Sequence, residues 1–182
     1  MTSKNKKAII FVGGSLLILY MLRKQLASAL NKTSFSAISD KLFNVISQFE
    51  GFFAVPYFDR TGYSVGYGSQ YNWDQNRPVQ KTDIIDKATA KRWLLNEAQK
   101  DVQFVQSKLK VPINDNQLLA LSSFSYNVGR GAFQDSTLLE LLNNGSDLNT
   151  VASQFDRWIY SGGQVNKGLQ ARRKAEKALF LS

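Results

Sequence analysis

The sequence contains no cysteine and no histidine, and these two absences restrict the chemistry that the chain can perform. Without cysteine it has no disulfide, no thiolate nucleophile and no cysteine-ligated zinc. Without histidine, Ser-His-Asp and Cys-His catalysis and the histidine zinc sites of hydrolases are excluded too. Acid–base chemistry near neutral pH must therefore use Asp, Glu, Lys or Tyr, and we expect no cofactor and no metal.

The chain as a whole is 43% hydrophobic and 12% aromatic, as suits a folded domain. Acidic side chains are missing from its first 32 residues. The net charge of +9 is therefore uneven. The remaining 150 residues hold 17 basic and 14 acidic side chains, so this part is only mildly basic. A nucleic-acid partner is not expected. The six basic side chains of the first 32 residues are Lys4, Lys6, Lys7, Arg23, Lys24 and Lys32.

Residues 8–22 (AIIFVGGSLLILYML) carry no charge and would span about 22 Å as a helix at about 1.5 Å per residue. A bilayer core is about 30 Å thick, and the basic residues on both sides could extend the span by snorkelling. We interpret this run as an uncleaved membrane anchor with its N terminus inside. The alternatives are a signal peptide cleaved near residues 27–29 (Ala-Ser-Ala) and a buried core helix.

Hydrophobic periodicity predicts an α+β protein with a small hairpin lobe and a larger helical lobe. We assign residues 1–30 to the signal-anchor segment, 31–38 to a polar linker and 39–182 to the folded domain. The first helix is predicted to begin at Ser39, and the pair Asn114 and Gln117 predicts a capping box. The predicted elements are a helix over 39–49, a hairpin over 52–68, a polar loop over 71–81 and helices over 84–109, 114–127, 135–143, 148–160 and 167–181.

Paired carboxylates are the natural catalysts in a chain without histidine or cysteine. Of the four glutamates, Glu97, Glu140 and Glu176 lie in amphipathic helices and are predicted to be solvated. Glu50 ends a helix and precedes apolar residues, and both features disfavour a carboxylate charge, as a general acid requires. Asp59 follows nine residues later, either as a turn residue or as a base that faces Glu50 across a cleft.

Three blocks resemble the phage-type lysozymes (endolysins, glycoside hydrolase family 24). EGFFAVPYFDRTGYSVGYGS (50–69) is similar to the family pattern E-G, Y-x-D, G-x-x-T-I-G-x-G-H. QLLALSSFSYNVGRGAFQDSTLLELLN (117–143) is similar to Q-x-x-A-L-x-S-F-x-F-N-x-G followed by S-T-L-L. FDRWIYSGGQVNKGLQARRKAEKALF (155–180) is similar to F-x-R-W and G-L-x-x-R-R-x-x-E-x-x-L-F. Their order implies a lysozyme-like fold over most of residues 40–182.

The resemblance implies a role for several residues. Glu50 matches the general acid, and Asp59 matches the carboxylate that activates water or stabilises positive charge. Ser64 replaces the family threonine that holds this water, in a turn one residue shorter, and Ser69 replaces the family histidine. Asn127 matches a residue of the substrate cleft.

The remaining matches concern supporting residues. Arg172 and Arg173 match paired arginines that orient a catalytic carboxylate, with a basic surface helix as the alternative. Trp73, Trp93 and Trp158 are predicted to pack in the core or at its rim rather than to bind sugar. Ser136 with Thr137 is predicted to cap a helix.

The resemblance implies a monomeric muramidase that cuts bacterial peptidoglycan between N-acetylmuramic acid and N-acetylglucosamine. The anchor would place it at the inner membrane of a bacterium, facing the periplasm or cell wall, or in the membrane of a lipid-containing virion. Such an enzyme would lyse the host or let the virion enter it. The alternatives are a non-catalytic wall-binding or virion structural protein on a lysozyme scaffold, and a lytic transglycosylase.

Overall fold

The computed structural model describes residues 35–59 and 61–182. The chain divides into two units, Met1–Ala37 and Ile38–Ser182, and only the last three residues of the first unit are described; they are helical. The predicted anchor over residues 8–22 and the cleavage site near 27–29 lie outside the described residues. No helix within the described residues is long and apolar enough to cross a membrane.

The first described helix, α1, covers residues 35–50 and so begins before the predicted cap at Ser39. Residues 35–38, expected to form the end of a linker, are helical because Ile38 belongs to the buried stripe. Ile38, Leu42 and Ile46 are at most 2% exposed and follow helical spacing. The helix ends at Gly51, whose φ of 67° is one that glycine adopts readily.

The predicted hairpin forms from strands β1 (Phe53–Asp59) and β2 (Gly62–Gly66), which pair antiparallel. The register shifts between Phe53 and Tyr57, so the first strand is bulged. The expected polar loop over 71–81 contains a second, very short hairpin, β3 (Tyr71–Asn72) with β4 (Arg77–Pro78). Two-residue strands are too short for their alternation to be read from a sequence.

Two long helices follow. Helix α2 spans Lys87–Lys108, and Asp86 caps it by accepting a hydrogen bond from the amide of Thr89. Helix α3 spans Asp115–Val128, and the capping box of Asn114 with Gln117 is confirmed. The hydrophobic core forms around α3, which packs against α2 on one side and the last helix on the other.

The C-terminal part contains shorter elements: α4 (Arg130–Gln134), α5 (Thr137–Asn143), α6 (Leu148–Ser153), a 3₁₀ helix (Gln154–Arg157), strands β5 (Tyr160–Ser161) and β6 (Gln164–Val165), and α7 (Lys167–Phe180). The single helix predicted over 148–160 is wrong. Gly162 and Gly163 both have positive φ, 57° and 78°, which a two-residue hairpin turn requires. The chain therefore leaves the helix early to form this hairpin.

The predicted α+β class, with a small hairpin lobe and a larger helical lobe, is confirmed for the described residues. Phe124 of α3 lies at the centre of an aromatic cluster in the helical part. Its ring meets those of Phe133, Phe155 and Trp158 edge to face, with centroids 5.3–6.4 Å apart. This cluster makes α3 a rigid support for the polar residues at its C-terminal end.

Candidate active site

A polar cleft of about 470 Å³ opens beside the C-terminal end of α1. Its walls come from α1, from the segment between β2 and β3, and from α2, α3 and α4. Two of the predicted site residues, Glu50 and Asn127, lie in it. The lining residues are Glu50, Tyr67, Gly68, Gln70, Tyr71, Glu97, Asp101, Tyr126, Asn127 and Arg130.

Glu50 is positioned by an arginine 122 residues further along the chain. Arg172 Nη1 donates to Glu50 Oε1 at 2.5 Å, and the glutamate side chain is 23% exposed. The Arg172 guanidinium also lies over the Phe49 ring, 5.4 Å from its centroid. The environment predicted for Glu50 as apolar thus contains a buried cation, which fixes one carboxylate oxygen.

Arg172 belongs to a buried ionic network on α7. Its Nε donates to Glu176 Oε1 at 3.1 Å, and Arg173 Nη2 donates to the same oxygen at 3.2 Å. Arg173 Nη2 also donates to Asn127 Oδ1 at 2.9 Å, so α7 holds two cleft residues from behind. The prediction that Glu176 is solvated is wrong, because its side chain is fully buried.

Burial dominates the electrostatics of this network. It raises the pKa of Glu176 despite both arginines, and it lowers the pKa of Arg173 to about 10. Arg173 Nε lies 2.8 Å from Glu176 Oε2, yet the two atoms do not form a hydrogen bond of good geometry. The cost of removing both charges from water thus exceeds their mutual attraction.

Asp59 and Ser64 lie on the β1–β2 hairpin rather than in the wall of the cleft. Asp59 is exposed and pairs with Gly62 at the end of the strand, whereas Ser64 is 1% exposed and lies opposite Tyr57. Burial, then Asp59, then Glu50 raise the pKa of Tyr57, which also shares a hydrogen bond with the Ser64 hydroxyl. Both carboxylates therefore raise the pKa of one phenol, which belongs to the residue opposite Ser64 on the hairpin.

Glu97 is a cleft residue that the sequence analysis wrongly placed on a solvated face. Ser69 Oγ and Trp73 Nε1 donate to its Oε1 at 2.5 and 3.2 Å, and Tyr126 Oη donates to its Oε2 at 3.4 Å. Burial raises the pKa of Glu97. The remaining helical glutamate, Glu140, is exposed as predicted.

One turn further along α2, Asp101 forms the far end of the cleft. It accepts hydrogen bonds from Ser125 Oγ at 2.9 Å and from Arg130 at 3.1 and 3.2 Å. The sequence analysis missed Asp101, Arg130 and Tyr126. The spacing i, i+4 of Glu97 and Asp101 was a signal for one carboxylate face on α2.

The packing predictions hold. Trp93 is 1% exposed in the core, Trp73 packs beside it and Trp158 packs on Phe124. Ser136 caps α5 by accepting from the amide of Leu139. Within residues 35–59 and 61–182, no group of three or more metal-ligating side chains could hold a metal ion.

A hairpin lobe beside a helical lobe, with a glutamate held by arginine at the head of a polar cleft, defines the lysozyme class of glycoside hydrolase. The chain belongs to the phage lysozyme family, whose sequence pattern matches residues 47–176. The lysozyme-like fold that the resemblance implied is therefore confirmed.

Relatives and a solved structure support this assignment. The chain is 42% identical over 150 residues to the endolysin of Bacillus phage PZA, covering 80% of this chain but only 55% of that protein. It is 33% identical over 133 residues to the SAR-endolysin of Enterobacteria phage P21, covering 72% of this chain and 77% of that one. The muramidase domain of SpmX from Asticaccaulis excentricus superposes with a TM-score of 0.69 at 28% identity, covering 78% and 95%.

Proposed function

We propose that this protein is a muramidase that hydrolyses the β-1,4 bond between N-acetylmuramic acid and N-acetylglucosamine in bacterial peptidoglycan. The observation that carries the proposal is the Glu50–Arg172 pair at the cleft of a phage lysozyme fold. Its similarity to a phage endolysin and to a muramidase domain supports the proposal. The enzyme acts on the host wall, either to lyse the cell or to let a virion enter.

Glu50 is the general acid of this mechanism. Arg172 holds Oε1, so Oε2 carries the proton that passes to the glycosidic oxygen as the bond to the anomeric carbon breaks. The leaving sugar departs as an alcohol, and positive charge develops on the sugar that remains. Arg172 and Arg173 are positioning residues, because they contact Glu50 and Asn127 and lie behind the cleft.

Asp59 and Ser64 complete the mechanism from the hairpin. Asp59 either stabilises the positive sugar or takes a proton from the water that attacks it. Ser64 supplies the hydroxyl that helps to hold this water and is itself oriented by Tyr57. Asn127 contacts the substrate, since it is exposed in the cleft while Arg173 fixes its oxygen.

Glu50→Gln in the full-length chain tests the general acid. The amide keeps the shape of the side chain but has no proton to give to the leaving oxygen, so release of reducing ends from purified peptidoglycan should fall at least about a hundredfold. Thermal unfolding followed by circular dichroism establishes that the variant is folded. Glu140→Gln, on the exposed face of α5, is the matched control and should clear peptidoglycan like the parent.

The outcomes separate the competing functions. Unchanged activity of Glu50→Gln contradicts the acid assignment, and a folded parent that binds but never clears peptidoglycan favours the wall-binding function. Products that end in a 1,6-anhydro sugar identify a transglycosylase instead of a hydrolase. Asp59→Asn should also lose about a hundredfold, and a smaller loss leaves Asp59 as a turn residue.

We further propose that residues 8–22 anchor the monomeric enzyme in a membrane. The apolar run and the name SAR-endolysin borne by a relative support this. The full-length chain should remain in the membrane fraction after alkaline carbonate washing, whereas Leu17→Asp should move it to the soluble fraction, because a carboxylate in the bilayer costs about 3 kcal/mol. Thr2→Asp, outside the run, is the control. A shortened soluble product of the parent contradicts the anchor and indicates a cleaved signal peptide.

A further inference from the structure

Glu97 is a half-buried cleft carboxylate that the proposed hydrolysis does not use. Its partners come from two other parts of the fold: Ser69 and Trp73 from the β2–β3 side, and Tyr126 from α3. The carboxyl group therefore joins two walls of the cleft through α2. Ser69 and Tyr126 both depart from the family patterns quoted above, which have histidine and phenylalanine at these positions.

All three of these partners are neutral donors. Other buried carboxylates among the described residues each face a guanidinium: Asp83 faces Arg77, Asp101 faces Arg130, and Glu176 faces Arg172 and Arg173. Glu97 forms no such ion pair within the described part of the chain. An ionised Glu97 would thus be a half-buried anion whose hydrogen bonds all come from neutral donors.

The single proton of the Ser69 hydroxyl indicates which protonation state of Glu97 agrees with the hydrogen bonds. Ser69 Oγ lies 2.5 Å from Glu97 Oε1 and 3.0 Å from the Tyr71 carbonyl oxygen, which are two acceptors for one donor. If Glu97 is ionised, one of them is left without this proton. If Oε1 carries a proton, Glu97 donates to Ser69 Oγ and Ser69 donates to the Tyr71 carbonyl.

The other two contacts can also form with the neutral acid, although each favours the ionised form on its own. Trp73 donates to a lone pair of the protonated Oε1, and Tyr126 donates to the carbonyl-like Oε2. Every polar atom of the cluster then has a partner, as buried polar networks require.

One charge near the cluster, that of Lys100, favours the ionised form of Glu97, but burial has the larger effect. Lys100, on the same helix, is the cation that acts on Glu97, and its ammonium lies over the Trp73 ring, 4.2 Å from the centroid. Asp101 lies one turn away and is paired with Arg130. Glu50 and Arg172 act on Tyr126 from α1 and α7, and they are paired with each other. Burial has the largest effect on Glu97 and raises its pKa, whereas the hydrogen bonds from its three neutral donors and the charge of Lys100 lower it.

We propose that Glu97 is a positioning residue held as a neutral carboxylic acid, which fixes the Ser69–Tyr71 wall of the cleft against Tyr126. Ionisation releases its proton to solvent, deprives the Tyr71 carbonyl of the Ser69 donor and leaves a half-buried anion. Because the neutral form is favoured in the folded state, the stability that it contributes is complete below the pKa of an unfolded glutamate, about 4.3, and is lost as pH rises through the folded-state pKa.

Glu97→Gln in the full-length chain tests this, because an amide imitates the neutral acid. Its NH₂ group donates to Ser69 Oγ and its carbonyl accepts from Tyr126, whereas Trp73 Nε1, which donates to Oε1 in the parent, loses this acceptor. Between about pH 5 and pH 9 the melting temperature of the parent should fall relative to that of Glu97→Gln, while Glu140→Gln, with its exposed side chain, tracks the parent. Parallel curves for the parent and Glu97→Gln overturn the proposal.

Kinetics on soluble glycan chains separate positioning from chemistry. The KM of the parent should rise on the alkaline side more than the KM of Glu97→Gln, whereas kcat, which depends on Glu50, follows pH alike in both. A folded Glu97→Gln that loses more than about tenfold in kcat/KM at acidic pH shows that the ionised carboxylate is needed, and overturns the proposal. This readout rests on the proposed function.

A spectroscopic readout does not depend on hydrolysis. The chain has four glutamates, Glu50, Glu97, Glu140 and Glu176, so labelling glutamate with ¹³C at Cδ gives four carboxyl resonances. At about pH 6, above the usual glutamate pKa, the Glu97 resonance should lie at the protonated position and that of Glu140 at the ionised one. Tyr126→Phe, which removes one hydrogen bond, assigns the Glu97 resonance even if Glu97→Gln does not fold. A carboxylate position for Glu97 overturns the proposal.

Discussion

Gly66 lies at the end of β2, where the hairpin packs against α2, and its replacement by alanine should destabilise the fold strongly. Its φ is 68°, in the left-handed region. A Cβ at this position would lie 2.9 Å from Ala90 Cβ and 3.1 Å from Ile85 Cδ1. Ala90 Cβ is a short, rigid neighbour on a helix, so it cannot rotate away as a long side chain could.

The magnitude follows from three terms. The left-handed conformation costs a non-glycine residue about 1–2 kcal/mol. Overpacking of a closed contact costs about 1–3 kcal/mol. Alanine also lowers the entropy of the unfolded chain, which stabilises the fold by about 0.4–1 kcal/mol. Gly66→Ala should thus lower the free energy of unfolding by about 2–4 kcal/mol, or the melting temperature by about 4–16 °C for a chain of this size.

Urea unfolding followed by circular dichroism measures this change, and Gly62→Ala at the start of the same strand is the matched control. A Cβ on Gly62 meets nothing within 4 Å, so this variant should remain within about 0.5 kcal/mol of the parent. Ala90→Gly removes the nearest atom and should recover part of the loss in the double variant, although it keeps the strained φ. A loss below about 1 kcal/mol for Gly66→Ala, or no recovery by Ala90→Gly, refutes the reasoning.

Two further predictions concern buried ion pairs. Replacing Glu176 by Leu should cost about 3–5 kcal/mol, because it leaves the buried guanidinium of Arg173 without its anionic partner; a loss below about 1 kcal/mol in urea unfolding contradicts this. Asp83 accepts two hydrogen bonds from Arg77, both 2.8 Å, which lower its pKa. The stabilisation by the Arg77–Asp83 ion pair is therefore present above about pH 3.9 and is lost as pH falls below this value. Between neutral pH and acid unfolding, the free energy of unfolding of the parent should thus fall by about 2 kcal/mol more than that of Asp83→Asn. Equal losses of this free energy contradict the prediction.

Local patterns predicted much of the fold because the signals that set its elements are local. The capping box at Asn114 and the apolar stripes of α2 and α3 can be recognised within one or two turns of helix. The wrong helix boundaries occur where the end of one element depends on its contacts with another element. The 148–160 helix was extended across residues whose end is set by the hairpin at Gly162 and Gly163, and the start of α1 depended on whether Ile38 found a core.

The candidate site was less predictable, because its geometry depends on partners from distant elements. Glu50 could be singled out from its own neighbours, but the arginine that holds it comes from α7 and was suggested only by the resemblance. Glu97 and Glu176 were assigned to solvated faces because a polar residue on an amphipathic helix normally faces water. Glu176 is buried and Glu97 half-buried because other elements supply their hydrogen bonds.

Helix α7 shows why polarity alone misplaces such a helix. Its buried residues are Arg172, Arg173, Glu176 and Phe180, which follow helical spacing although three of them are charged. A purely apolar face here would give a simpler core, but it could not reach Glu50 and Asn127 with donors. The buried charged residues of α7 therefore lose hydration energy, but they fix the orientation of both cleft residues. Because such orientation is useful only at the cleft, the buried charged residues of α7 mark the side of the helix on which the site lies.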